Sequence, residues 1–181
     1  VYLRDKSLYF FKSEGKDQVF FMYRRKQEKL FCIGEPIGNP KYFKEALEDF
    51  LKTADLYGFE PVFYDIDQDF TLLLHEYGYD FLQIGEKGLV DLEKFNLHGE
   101  KHHNQRALIN RFANDGYVLD FLKPPYSEEL LSEMRKVSDD WLSNRTEKGF
   151  SVGFFDEYYL EQGSLMTLRD SSGKLKAFSS I

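Results

Sequence analysis

The chain has 181 residues, a net charge of −7 and 42% hydrophobic residues, including 18 phenylalanines and 12 tyrosines. That much apolar and aromatic material supplies a core and excludes a disordered chain, and the acidic balance excludes nucleic-acid binding driven by overall charge alone. No apolar run reaches the ~18 residues needed to span a bilayer, and the one cysteine, Cys32, leaves no internal disulfide.

Three strands are expected first, at Leu8–Lys12, Gln18–Arg25 and Lys29–Ile33. Short polar turns, EGKD and KQE, join them into an antiparallel meander. Cys32 ends the third apolar stretch and reads as a small buried hydrophobe rather than a catalytic thiol. Gly34 and Gly38 then flank a tight turn. Asn39 is placed to cap a helix with Pro40 at its first position. Phe43, Leu47, Phe50, Leu51 and Ala54 give that helix, Tyr42–Tyr57, one apolar face, and Gly58 stops it. A phosphate cradle at Gly34–Gly38 is the competing reading, but Pro36 and Pro40 remove two of the amides it would use.

Pro61–Ile66 reads as a short buried strand. Asp67 and Asp69 can cap a second helix, Phe70–Tyr77, that ends at Gly78 and carries a structural His75. Tyr79–Ile84 and Gly88–Leu92 read as two more strands, split by GEKG. A basic helix follows, about residues 101–114, closed by Gly116; then comes the strand YVLDFL. Ser127, Glu128 and Glu129 start a long helix whose apolar face holds Leu130, Leu131, Met134, Val137 and Trp141, the last read as core. A loop, RTEKGFSVGFFDEYYLEQG, leads to strands at Ser164–Arg169 and Lys174–Ile181. The text begins strand-like almost at once and stops inside an expected strand, so it reads as a piece of a longer polypeptide.

Several residues have the chemistry for a site. Lys101, His102, Arg106 and Arg111 give a local positive field suited to phosphate-rich ligands; the alternative is a solvated face neutralised by Glu100 and Asp115. His98 and His102 stand four apart but lack a third ligand, so no metal site is expected. Asp139 and Asp140 are paired carboxylates of which one should face solvent. The glycine-rich run Lys148–Asp156 is placed either to line a substrate cleft or simply to connect helix and sheet.

DKSLYFF, GEPIGNPKYF, FYDI, EKHHNQRALINRFANDGY, SDDWL and EKGFSVGFFDEYYL occur here in one order. Together they resemble the soluble C-terminal domain of the multiple peptide resistance factor family, the aminoacyl-phosphatidylglycerol synthases, most often of the lysyl type. The resemblance implies an α/β fold of GNAT-like (acyl-CoA N-acyltransferase-like) mixed sheets in tandem, the second truncated here. Residues 1–97 would be the first module, 98–116 the basic connecting helix and 117–181 the start of the second. The fold's usual pyrophosphate loop is replaced by GEPIGN, so neither acyl-CoA nor another cofactor is expected.

The implied activity is transfer of an amino acid, lysine in the commonest type, from aminoacyl-tRNA to phosphatidylglycerol. The product lowers the negative charge of the membrane and gives resistance to cationic antimicrobial peptides. The implied partners are the tRNA, the lipid and a membrane-embedded parent protein that holds this domain on the cytoplasmic side. Arg106 matches the family's basic position after the connecting loop, and Asn110 with Arg111 matches its Asn-Arg pair. With Lys101, Lys148 and Asp156 they are the expected contacts to tRNA or lipid phosphate. The family's Asp-Leu-Met-Arg stretch and later basic cluster would lie beyond Ile181, so no catalytic residue is expected within this chain. Two alternatives stand beside this reading. One is a Fem-type transferase acting on peptidoglycan precursors, marked by a long helical arm not evident here. The other is a non-catalytic GNAT-like binding module. The last expected strand also offers an open edge through which two copies would pair.

Overall fold

A computed structural model describes residues 3–181. It divides into two compact units.

The first unit comprises residues 3–83 with a later excursion, residues 148–154. β1 (Ser7–Ser13), β2 (Lys16–Lys26) and β3 (Lys29–Ile33) form the expected meander, with Tyr9 opposite Phe21 and Tyr23 opposite Cys32. Glu14 and Gly15 both turn through positive φ at the first hairpin, as a two-residue loop between right-twisted strands requires. A two-residue strand, β4 (Ile37–Gly38), was not foreseen; it pairs Gly38 with Val19 inside the GEPIGN turn. A side chain at 38 would put its Cβ 2.1 Å from the Gln18 carbonyl oxygen, so only glycine fits.

Asn39 caps a 3-10 turn, Pro40–Tyr42, by accepting from the Lys41 amide at 3.1 Å. α1 (Phe43–Leu56) continues from it and buries Ala46, Leu47, Phe50 and Ala54 against the sheet. β5 (Glu60–Tyr64) then pairs with β3 in parallel, which makes the sheet mixed. α2 (Gln68–His75) starts two residues earlier than expected, with Asp67 at its cap position but making no side-chain cap bond. It adds Phe70 and Leu74 to the core.

The expected strands Tyr79–Ile84 and Gly88–Leu92 do not form. Their alternating text fits a strand, but a strand exists only where a partner's backbone accepts the ladder. Along the outer edge of β5 it is the Tyr79 hydroxyl that reaches the Pro61 carbonyl, at 3.3 Å. Leu82, Leu89 and Leu92 are exposed in consequence. The first sheet therefore draws its strands from Ser7 to Tyr64 rather than to residue 92.

The second unit comprises residues 84–147 and 155–181. A 3-10 turn, Glu100–His102, leads into α3 (His103–Asn114), which has no buried residue. β6 (Val118–Leu122), β7 (Leu165–Arg169) and β8 (Leu175–Ser180) make an antiparallel sheet in that order. α4 (Glu128–Leu142) is capped by Ser127, whose hydroxyl accepts from the Leu130 amide at 3.2 Å. Leu131 and Met134 of α4 pack with Leu165 and Leu175 of the sheet. A short helix unforeseen in the sequence, α5 (Glu157–Leu160), closes this core with Leu160. Trp141, expected in the core, is 67% exposed. Trp141 lies on the last turn of α4, where it borders an open groove beside β8 instead of the core formed by Leu131 and Met134.

Candidate functional site

The structure puts four of the six candidate substrate contacts on one segment. Lys101 lies in the 3-10 turn, and Arg106, Asn110 and Arg111 lie on α3. Arg106 and Asn110 are four apart and share a helix face; Arg111 turns about 100° away from Asn110. Lys101, Asn110 and Arg111 are exposed, whereas Arg106 is half-buried. One guanidinium nitrogen of Arg106 donates to the carbonyls of Leu97 and Gly99, the second at 2.7 Å. Arg106 thus pins the approach to α3. Arg111 reaches back over its neighbour Phe112, 5.9 Å from the ring centre.

Two candidates lie elsewhere. Asp156 is spent on structure: its carboxylate accepts from the Tyr159 amide at 2.7 Å and caps α5. Lys148 is exposed and belongs to the excursion that packs in the first unit. In that excursion the Phe150 amide donates to the Asp5 carboxylate at 2.6 Å, and the Lys6 ammonium meets the same carboxylate at 2.7 Å. Nothing local in the sequence marks Asp5, because its partner is 145 residues away.

A groove of about 920 Å³ opens between α4 and β8. Val137, Trp141 and Phe178 give it an apolar floor, and Lys136, Lys174 and Lys176 face it. Of its two acids, Glu133 pairs with Arg169 at 2.7 Å and Asp140 is exposed. The alternation of Lys174 and Lys176 was visible in the sequence, but not that both would border the open side of an edge strand. A smaller cleft of about 560 Å³ runs beside β5 in the first unit, walled by Phe63, Leu74, Tyr77 and Phe81. Its tyrosine hydroxyls are committed, that of Tyr77 to Glu48 at 2.8 Å and that of Tyr79 to Pro61.

Cys32 is buried, and burial pushes its thiol up to about 12, which removes it as a nucleophile. No group of three or more His, Cys, Asp or Glu side chains converges on a metal position among the described residues. His102 instead meets Phe95 edge-on at 5.9 Å. No helix among the described residues is long and apolar enough to cross a membrane.

The family described as phosphatidylglycerol lysyltransferase, C-terminal, matches residues 1–181. The chain belongs to this family. It is 39% identical to the phosphatidylglycerol lysyltransferase of Staphylococcus epidermidis over 181 residues, which is all of this chain and 21% of that protein. It is 36% identical to that of Bacillus subtilis over 180 residues, again 21% of the relative. The chain therefore spans about a fifth of the length of these curated lysyltransferases. Among solved structures, that of L-PGS from Bacillus licheniformis superposes with a TM-score of 0.90 at 37% identity, over 99% of this chain and 56% of that one. The mixed first sheet and the helices around it are accordingly those of the lysyltransferase family, consistent with the GNAT-like fold expected from the sequence.

Proposed function

We propose that this chain works as part of a phosphatidylglycerol lysyltransferase, moving lysine from lysyl-tRNA to phosphatidylglycerol. The family match over the whole chain carries this reading. In the reaction a glycerol hydroxyl of the lipid attacks the carbonyl carbon of the aminoacyl ester. The new carbon–oxygen bond forms to the lipid, the bond to the tRNA ribose breaks, and the hydroxyl proton ends on the ribose oxygen. One ester replaces another, so positioning and proton transfer are what the protein must supply.

In this reading residues 1–97 are one GNAT-like module and residues 117–181 the start of a second, incomplete here, joined by the basic helix of residues 98–116. The surface of Lys101, Arg106, Asn110 and Arg111 meets phosphate of the tRNA or the lipid, as does Lys148. Asp156 contributes by fixing the start of α5. The acid–base groups come from outside these 181 residues. The parent sits in the cell membrane with this domain on its cytoplasmic side, and the open edge of β8 is where two copies pair.

The full protein, incubated with radiolabelled lysyl-tRNA and phosphatidylglycerol vesicles, is expected to form lysylated lipid. Failure with lysyl-tRNA but success with another aminoacyl-tRNA would change the amino acid. Failure with every aminoacyl-tRNA would reject the transferase reading. A Fem-type reading predicts product on peptidoglycan precursors instead, and the same assay with those acceptors separates the two.

A further inference from the structure

The excursion of residues 148–154 lies between α4 and α5 in the chain, yet it packs in the first unit. Gly149 and Phe150 both adopt φ of +64°. Phenylalanine rarely takes that conformation, so the backbone there needs an outside hold. The hold is visible: the Asp5 carboxylate accepts the Phe150 amide at 2.6 Å. Lys6 completes it, bonding the other carboxylate oxygen at 2.7 Å and standing 5.8 Å from the centre of the Phe150 ring. The side chains of Lys6 and Asp5 are only 8% and 11% exposed. The Tyr64 ring lies 6.4 Å from that of Phe150.

A largely buried ion pair is a poor way to gain stability, because desolvation offsets most of its attraction. It is a good way to fix one geometry. Burial alone would push the Asp5 carboxyl up; the Lys6 hydrogen bond, the Phe150 amide and the Lys6 charge together outweigh it, so the carboxylate stays charged and keeps its hold.

We infer that Asp5, with Lys6, is a positioning residue for the glycine-rich loop 148–154, and through it for the phosphate-bearing substrate that Lys148 meets. This inference rests on the transferase reading. The pair does not touch the reacting atoms; it sets where Lys148 stands.

The test uses the full protein carrying Asp5→Ala, Asp5→Asn or Lys6→Met. Hydrogen exchange of the amides at residues 150–153 is followed beside that of β2 and α1, which report whether the first unit is folded. Asp5→Ala is expected to speed loop exchange about tenfold while β2 and α1 stay protected. KM is measured separately for lysyl-tRNA and for phosphatidylglycerol. A rise of about tenfold in either, with kcat within about twofold, is expected from a misplaced loop. Which KM rises identifies the substrate whose phosphate Lys148 meets. Asp5→Asn keeps one acceptor oxygen and is expected to fall between wild type and Asp5→Ala, as is Lys6→Met. Unchanged loop exchange, or faster exchange with both KM values unchanged, overturns the inference. So does a fall in kcat alone. If Asp5→Ala also exposes β2, the milder Asp5→Asn decides. If the unaltered protein transfers no lysine, the transferase reading fails separately, and loop exchange still decides whether Asp5 is the anchor.

Discussion

Phe21 of β2 and Phe50 of α1 stack face to face, with ring centres 4.7 Å apart and planes 11° from parallel. Each is 1% exposed. Phe50 also meets Tyr9 at 5.0 Å and Phe63 at 6.5 Å, so one helix residue joins three strands of the first sheet. Truncating it leaves a cavity on all sides at once. Phe50→Ala is expected to cost about 3–5 kcal/mol, and Phe50→Leu clearly less. Denaturant unfolding followed by exchange of the β2 amides measures both.

Gly38 supports a second expectation. Its φ is +142°, and an added Cβ would meet backbone atoms of Gln18 and Val19 rather than a flexible side chain. Gly38→Ala must therefore part β4 from β2 and loosen the entry to α1. A loss of about 2 kcal/mol is expected. Gly34→Ala, also at positive φ but with open space around it, is expected to cost less. Equal losses at the two sites would mean that the close approach to Gln18 carries no energy.

The elements legible in the sequence are those that local chemistry decides. Asn39 and Ser127 cap where their side chains reach an amide two or three residues on. Gly58 and Gly116 follow the ends of α1 and α3 because both take positive φ there. What was not legible depends on distant partners. Residues 79–92 have strand-like text but find no ladder, and the periodicity that put Trp141 in the core says nothing of what lies opposite that turn of the helix. The basic segment of α3 was readable from charge alone. The hold of Asp5 on Phe150 was not, since no periodicity links positions so far apart.

Cys32 is expected to stay unreactive in the folded protein. Burial raises its thiol to about 12, so at pH 8 almost no thiolate is present, and reagent cannot reach the sulfur in any case. An aromatic disulfide reagent should label it only on unfolding. The unfolded thiol ionises near its ordinary value of 9.0, so this contribution to stability is present below that pH and is lost as pH rises towards 12. Rapid labelling at pH 8 under native conditions would contradict the packing of β3 against α1.

Arg106 and Arg111 should separate by what they do. Reversing both charges is expected to weaken binding of tRNA or anionic vesicles and to flatten its salt dependence. Arg111→Glu alone should weaken binding without loss of stability, because its side chain is exposed. Arg106→Glu should also free the segment before α3, since it removes the donors to Leu97 and Gly99. Faster exchange at residues 97–103 in the Arg106 variant and not in the Arg111 variant would show the split. Unchanged affinity and salt slope in the double variant would leave α3 as a solvated face.

Trp141 is the chain's one tryptophan, so its fluorescence reports on a single site. At 67% exposure it is expected to emit like a solvated indole in the isolated chain and to be quenched by acrylamide. Charge around the ring adds a finer test. Arg145 stands 5.0 Å from the indole, and Lys136, Lys174 and Lys176 border the same groove, against Glu133, Asp140 and the Asp170 that pairs with Lys176 at 3.2 Å. The cationic excess should draw iodide towards the ring and hold caesium away, so iodide is expected to quench more strongly, and the gap should close as salt screens the field. Replacing Lys136 and Lys174 with glutamine, which leaves the Lys176–Asp170 pair intact, should narrow the gap without shifting the emission. A blue emission that neither ion quenches would mean that Trp141 is covered in solution, and that α4 ends on a packed surface.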